Sequence, residues 1–188
     1  MNKKHRAKPV IKAGDFDGNL RAFMAKYKAY PSLTRQLDHF VGPFNAEVIN
    51  CIVLWKLSRF VDLPAPLLAE LDGVRQLEVG QHAQAAELAT DLQRVKGVQL
   101  AMASTFLRFA NPEVFQIIDR HAYRAVYGTD LSKALKAHRT VGAKTQLYFT
   151  YLDALRQLCT EKHLPFRDAD RILFEFDKQE NPPLKETP

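Results

Sequence analysis

The stretch LQRVKGVQLAMASTFLRFANPEVFQIIDRHAYRAVYG, residues 92–128, decides how this chain folds. Leu92 and Val95 close one apolar helical pattern, Lys96 and Gly97 interrupt it, and a second pattern then runs to about Phe109. Ala103 and Ser104 lie on that second helix, where small residues permit close helix–helix approach. Asn111-Pro112 is a turn signal. The apolar string VFQII leads into Asp119, which is placed to cap a helix through Tyr127 that Gly128 closes. Two helices joined across a glycine make physical sense as a phosphate clamp. Glycine accepts a positive φ and close backbone approach. The second helix presents unpaired N–H groups and the positive end of its dipole. The expected contacts are Lys96, Gly97, Val98, Gln99 and Ala101. Such contacts fix position on a backbone and read no bases. Taken alone, the same pattern fits an ordinary αα-hairpin with a capping glycine.

Outward from this segment the period stays helical, and alternation typical of strands is hard to find. A first helix is expected over Asp17–Tyr30, with Leu20, Phe23, Met24 and Tyr27 on one face and Pro31 as its end. Pro43 is expected to open a long helix reaching about Val61, whose Phe44, Val48, Cys51, Ile52, Leu54 and Trp55 form a stripe broad enough for central core. Pro64 and Pro66 bracket the start of a short helix that ends near Gly73. Further helices are expected over Gln81–Val95, Ala143–Glu161 and Asp168–Lys178, the last with Ile172, Leu173 and Phe176 inward and Asp170 and Arg171 reaching the 120s helix. The fold class is therefore all-α.

Composition narrows the function classes. The 188 residues suit one domain or two small lobes, and a 46% hydrophobic fraction is ordinary for a globular chain. No apolar run approaches the ~20 residues that cross a bilayer. The start, MNKKHRAKPVIK, is basic without a following apolar run, so no signal peptide is expected and a cytoplasmic location follows by default. Cys51 and Cys159 show no CxxC spacing and read as small core residues. The net charge of +6 invites a nucleic-acid partner. However, Lys3, Lys4, Arg6, Lys8 and Lys12 supply +5 of it, and 27 basic residues less these five leaves 22 against 21 acidic ones. A tail over 1–14 reads either as an electrostatic tether for phosphate or as a disordered terminus. The polar, proline-rich 179–188 is also expected to be disordered.

No HxxxH or HExxH spacing is present among the six histidines, so no metal site is expected. Asp15-Phe16-Asp17-Gly18 has the outline of a calcium loop but lacks the later ligands, and reads as a turn and cap. The string LWKLSR places the only Trp beside two cations within one turn. Trp55, Lys56 and Arg59 are therefore candidates to line a pocket, or equally a core Trp beside solvated charges.

Residues 92–128 resemble the helix-hairpin-helix glycosylases of the endonuclease III superfamily. Their hairpin reads roughly LxxLPGVGxxTA, followed after a helix and a loop by VDTHVxRV. The strings here are LQRVKGVQLAMA and IIDRHAYRAV. Leu92, Val95, Gly97, Val98 and Ala103 match the hairpin, and Ile118, Asp119, His121 and Arg124 match the second string. The spacing between the strings is that of the family, without gaps, and helix order extends the likeness loosely back to Phe44. Two departures are plain. Gln99 replaces the second hairpin glycine, and Ala101 stands where the lyase lysine falls, so no Schiff base can form there. The iron–sulfur cysteines are absent too.

The resemblance implies a two-lobed HhH-GPD fold, with one lobe from 43–110 carrying the hairpin at 92–105 and the other from 15–42 and 111–178. It implies a monofunctional DNA N-glycosylase that needs no cofactor, acts as a monomer on double-stranded DNA, and flips a damaged or modified base into a pocket. Asp119 would be the catalytic carboxylate, stabilising the oxocarbenium-like transition state or activating water. His121 and Arg124 would support it, as a cap contact and a lobe-bridging or phosphate contact. Two alternatives stay open: a DNA-binding module without chemistry, and a helical interaction protein with no nucleic-acid role.

Overall fold

Asn45, Asp119, Asp130 and Thr140 each start a helix by accepting a backbone N–H with the side chain. A computed structural model of the chain describes residues 17–20, 22, 24, 31–57 and 60–184. Among the described residues the regular structure is entirely helical, and none of the helices is long and apolar enough to cross a membrane. The chain divides into two compact units, Met1–Phe60 and Val61–Pro188.

In the first unit, α1 spans Pro31–Asp38 and α2 spans Ala46–Leu57. Pro31 therefore stands at the first position of a helix instead of ending one. Proline is tolerated there because the N–H it lacks has no intrahelical partner. Most of the helix expected over 17–30, with Phe23 and Tyr27, lies outside the described residues, as do Asp15 and Phe16. The start of α2 is set by Asn45 and not by Pro43: the Val48 N–H donates to Asn45 Oδ1 at 3.0 Å. The Trp55 indole N–H donates to Thr34 Oγ1 at 2.9 Å and ties α2 to α1. The expectation that α2 is central core is overturned, because none of its residues is buried. Ile49, Ile52, Val53, Leu54 and Leu57 are exposed.

The second unit holds α3 (Ala65–Gly73), α4 (Ala86–Arg94), α5 (Leu100–Ala110), α6 (Arg120–Tyr127), α7 (Leu131–Ala137), α8 (Val141–Lys162) and α9 (Ala169–Glu180). Its axis is α8, which buries Leu147, Tyr148, Phe149, Tyr151, Leu152, Leu155 and Cys159. The expected starts and stops near Pro64, Gly73, Asn111, Asp119 and Gly128 match α3, α5 and α6. Helix α7 is not among the helices the sequence pattern predicts; Asp130 caps it, its side chain accepting the Ser132 N–H. Helix α9 runs through Glu180, past the expected boundary, and Asn181 Nδ2 donates back to Asp177 Oδ1 at 2.8 Å. Phe176 is 48% exposed instead of inward, while Ala169, Asp170, Leu173 and Asp177 face the core.

Candidate functional site

The hairpin is a four-residue turn. The Val98 N–H donates to the Val95 carbonyl at 3.0 Å, and Gly97 has φ +87°. A positive φ at the third turn position is the signature that calls for glycine. Val98 and Leu100 are buried and anchor the turn, so Val98 can offer a ligand only its backbone and not its side chain. Lys96, Gly97, Gln99 and Ala101 are exposed. Gln99 is extended (φ −104°, ψ 176°), a conformation open to any residue, so the family's second glycine is not needed for this backbone. Its side chain does not cap α5.

From the hairpin, α5 leads to the segment that carries Asp119. Residues Val114, Phe115, Gln116 and Ile118 are buried without being regular structure, so each backbone polar group needs a partner. Tyr148 Oη donates to the Gln116 carbonyl at 2.9 Å, and Tyr151 Oη donates to the Ile117 carbonyl at 3.0 Å. Ser104 Oγ accepts the Ile118 N–H at 3.2 Å and donates to the Ala101 carbonyl at 2.7 Å. Ser104 lies four residues into α5, so Asp119 follows a point about 6 Å along that helix from its start.

Asp119 caps α6 as expected, its Oδ1 accepting the Ala122 N–H at 2.7 Å. It lies in a cleft of about 310 Å³ lined by Arg108, Phe109, Ile117, Asp119, Asp170, Arg171, Phe174 and Glu175, all from the second unit. Burial raises the Asp119 carboxyl above the ordinary carboxylate range, helped by the Asp170 charge and opposed by the Ala122 hydrogen bond and by His121. Arg108 and Asp170 are both buried at the back of this cleft, with Arg108 Nε 4.0 Å from Asp170 Oδ2. Arg108 Nη2 donates to the Arg167 carbonyl at 3.0 Å.

His121 and Arg124 turn away to a different carboxylate. Asp177, with its side chain fully buried, accepts from Arg124 Nε and Nη2 at 2.7 Å each and lies 2.7 Å from His121 Nδ1. Burial would raise the Asp177 carboxyl, but hydrogen bonds from Arg124, His121 and Asn181 outweigh it and hold the group below its ordinary value. Asp177 is thus the residue of α9 that bridges to the 120s helix. The expected bridges from Asp170 and Arg171 go elsewhere, to Arg108 and to Asp168. The His121 ring also packs edge-on against Phe174 at 4.7 Å between centroids, which connects this cluster to the cleft wall.

Trp55 and Lys56 belong to the first unit, and Arg59 lies outside the described residues. The aromatic residues of the second unit that line the Asp119 cleft are Phe109 and Phe174. Neither these rings nor Arg108 stood out in the sequence, although Phe109 and Arg108 fall inside the stretch that decides the fold. Among the described residues no group of three or more His, Cys, Asp or Glu side chains is placed to hold a metal ion. Comparison with family models, with curated proteins and with solved structures gives no match to this chain.

Proposed function

We propose that this chain is a monofunctional DNA N-glycosylase-like protein with a two-lobed helix-hairpin-helix architecture. It would hold duplex DNA by the 95–98 turn and excise a flipped base with Asp119. The observation that carries this reading is Asp119 itself: a helix-capping carboxylate, part-buried in a cleft with two aromatic rings, and reached from a glycine hairpin through one turn of α5. A carboxylate poised beside a sugar stabilises positive charge that develops as an N-glycosidic bond breaks. Phe109 and Phe174 line the cleft, and an extruded base is commonly held against aromatic side chains. Ala101 offers no amine, so base loss would leave an intact abasic strand.

A second reading, a binding module without chemistry, is favoured by one observation: Asp119 already serves its helix as a cap. The two are separated by strand scission of labelled duplexes carrying a panel of damaged or modified bases, with and without alkali. Scission only after alkali, abolished in Asp119→Asn, is the expected result. Duplex binding with no abasic product from any substrate would replace the enzyme reading with the second one.

A further inference from the structure

The second unit is not basic as a whole. Residues 1–60 hold 11 Lys and Arg against 4 Asp and Glu, so 61–188 hold 27 less 11, or 16, against 21 less 4, or 17. Against that net −1, the stretch Leu131–Lys144 carries Lys133, Lys136, Arg139 and Lys144 with no acidic residue at all. Lys133, Lys136 and Arg139 are exposed and Lys144 is half-buried. Among the described residues none of these four has a carboxylate within 4.0 Å, a lack shared in this unit by Lys96, Arg156 and Lys162, whereas Arg75, Arg94, Arg108, Arg120, Arg124, Arg167, Arg171 and Lys178 each have one. Four cations within fourteen residues of chain and without a paired carboxylate leave a local positive excess, which an external polyanion neutralises.

The support beneath these cations is firm. Leu131 is buried, Asp130 caps α7 while pairing with Arg120, and Thr140 Oγ1 caps α8 by accepting the Ala143 N–H. The corner also has a defined neighbour. Gln93 Nε2 donates to Thr145 Oγ1 at 2.9 Å, and Thr90 Oγ1 lies 3.1 Å from the same atom. These bonds pin the start of α8 to the last turn of α4, the turn that runs directly into Val95–Val98.

We propose that the α7–α8 corner is a second phosphate-contact surface beside the hairpin, so that the unit grips a nucleic-acid backbone at two adjacent points. The phosphate chemistry follows from the four uncompensated cations; the choice of duplex DNA rests on the reading of the hairpin given above. An anionic membrane fits less well. Between 128 and 175 no large apolar side chain is exposed among the described residues, and surface-bound helices need one to insert.

The test is fluorescence anisotropy of the full chain with a labelled duplex, titrated with potassium chloride. The variant K133Q/K136Q/R139Q/K144Q is compared with a hairpin variant, K96E, and with K133R/K136R/K144R, which keeps the charge. The corner variant is expected to flatten the slope of log K against log salt by about 3 to 4, at roughly 0.9 for each phosphate that is no longer neutralised. The arginine variant is expected to bind as the parent does, and the melting temperature to stay within the scatter of surface substitutions. An unchanged slope in the corner variant overturns the proposal. So does parental binding to phosphatidylserine vesicles that the corner variant loses while duplex affinity is unaltered, and so does a parent that binds no duplex. A flattened slope in the corner variant alongside parental affinity in K96E keeps the corner and removes the hairpin from the reading.

Discussion

Asp177 and Arg124 form a two-pronged ion pair, Oδ1 to Nε and Oδ2 to Nη2 at 2.7 Å each, around a carboxylate with no solvent exposure. The pair fastens α9 to α6, the helix whose first N–H groups Asp119 caps. It explains why a short helix of eight residues, strongly polar on one side, holds its place.

Asp177→Asn is expected to destabilise the protein by about 3 kcal/mol, because Arg124 keeps its charge in a part-buried position without a partner. The pH dependence has a fixed sign. The folded-state value of Asp177 is depressed, so its contribution is present above the unfolded carboxylate range and is lost as pH falls through the folded value. Urea midpoints of parent and variant measured from neutral to acid pH check this: the gap narrows on acidification. A constant gap would mean that the carboxylate is not the source of the stabilisation.

Asp119 behaves in the opposite sense. Its folded value is raised above 3.8 by burial, so its contribution is fully present below that value and is lost as pH rises through the raised one. Asp119→Asn removes this loss while keeping an oxygen that can cap Ala122, since Asn and Asp are comparable caps. The variant is expected to match or exceed the parent in thermal stability at neutral pH, and to show less decline between acid and neutral pH. Any excision activity that needs the carboxylate falls off, on the acid side, above the ordinary carboxylate range. Loss of stability at neutral pH in Asp119→Asn would show that the charged form is favoured in the cleft.

Gly97→Ala isolates a backbone effect. The position has φ +87° and a Cβ added there meets nothing within 4 Å, so the cost is conformational and not steric crowding. A destabilisation of about 1 to 2 kcal/mol is expected, with the rest of the chain's cores undisturbed. Chemical denaturation measures it. A neutral substitution would mean that the turn relaxes to another form, and duplex binding by that variant would then report on the relaxed turn.

Much of the second unit was legible because its punctuation is local. Asp119 caps the start of α6 with its side chain, Gly128 closes α6 with a positive φ, Asn111 follows α5 and Pro64 precedes α3. The glycine hairpin was legible for the same reason. Helix α7 has Asp130 before Leu131, Ala134 and Leu135 at helical spacing, but seven residues give the period too little length to register. For α2, Pro43 and Asn45 both signal a start, and only three-dimensional neighbours decide what an apolar helix buries. The cleft walls were illegible for a related reason. Phe174 and Asp170 reach Asp119 across fifty residues of chain, and Asp177 finds Arg124 at a separation that no spacing rule encodes.

Tyr148 and Tyr151 suspend the irregular segment before Asp119 from the central helix, each by one phenolic hydrogen bond. The floor of the cleft is therefore held to α8 at two successive carbonyls, those of Gln116 and Ile117, without a partner strand. Its walls, Phe109 on α5 and Phe174 and Arg171 on α9, stand on helices tied to the same mount: Ser104 of α5 accepts the Ile118 N–H, and Asp177 of α9 holds α6 through Arg124. A substitution that shifts either wall helix therefore also shifts the mount of the carboxylate, so the shape of the cleft and the aim of Asp119 are coupled.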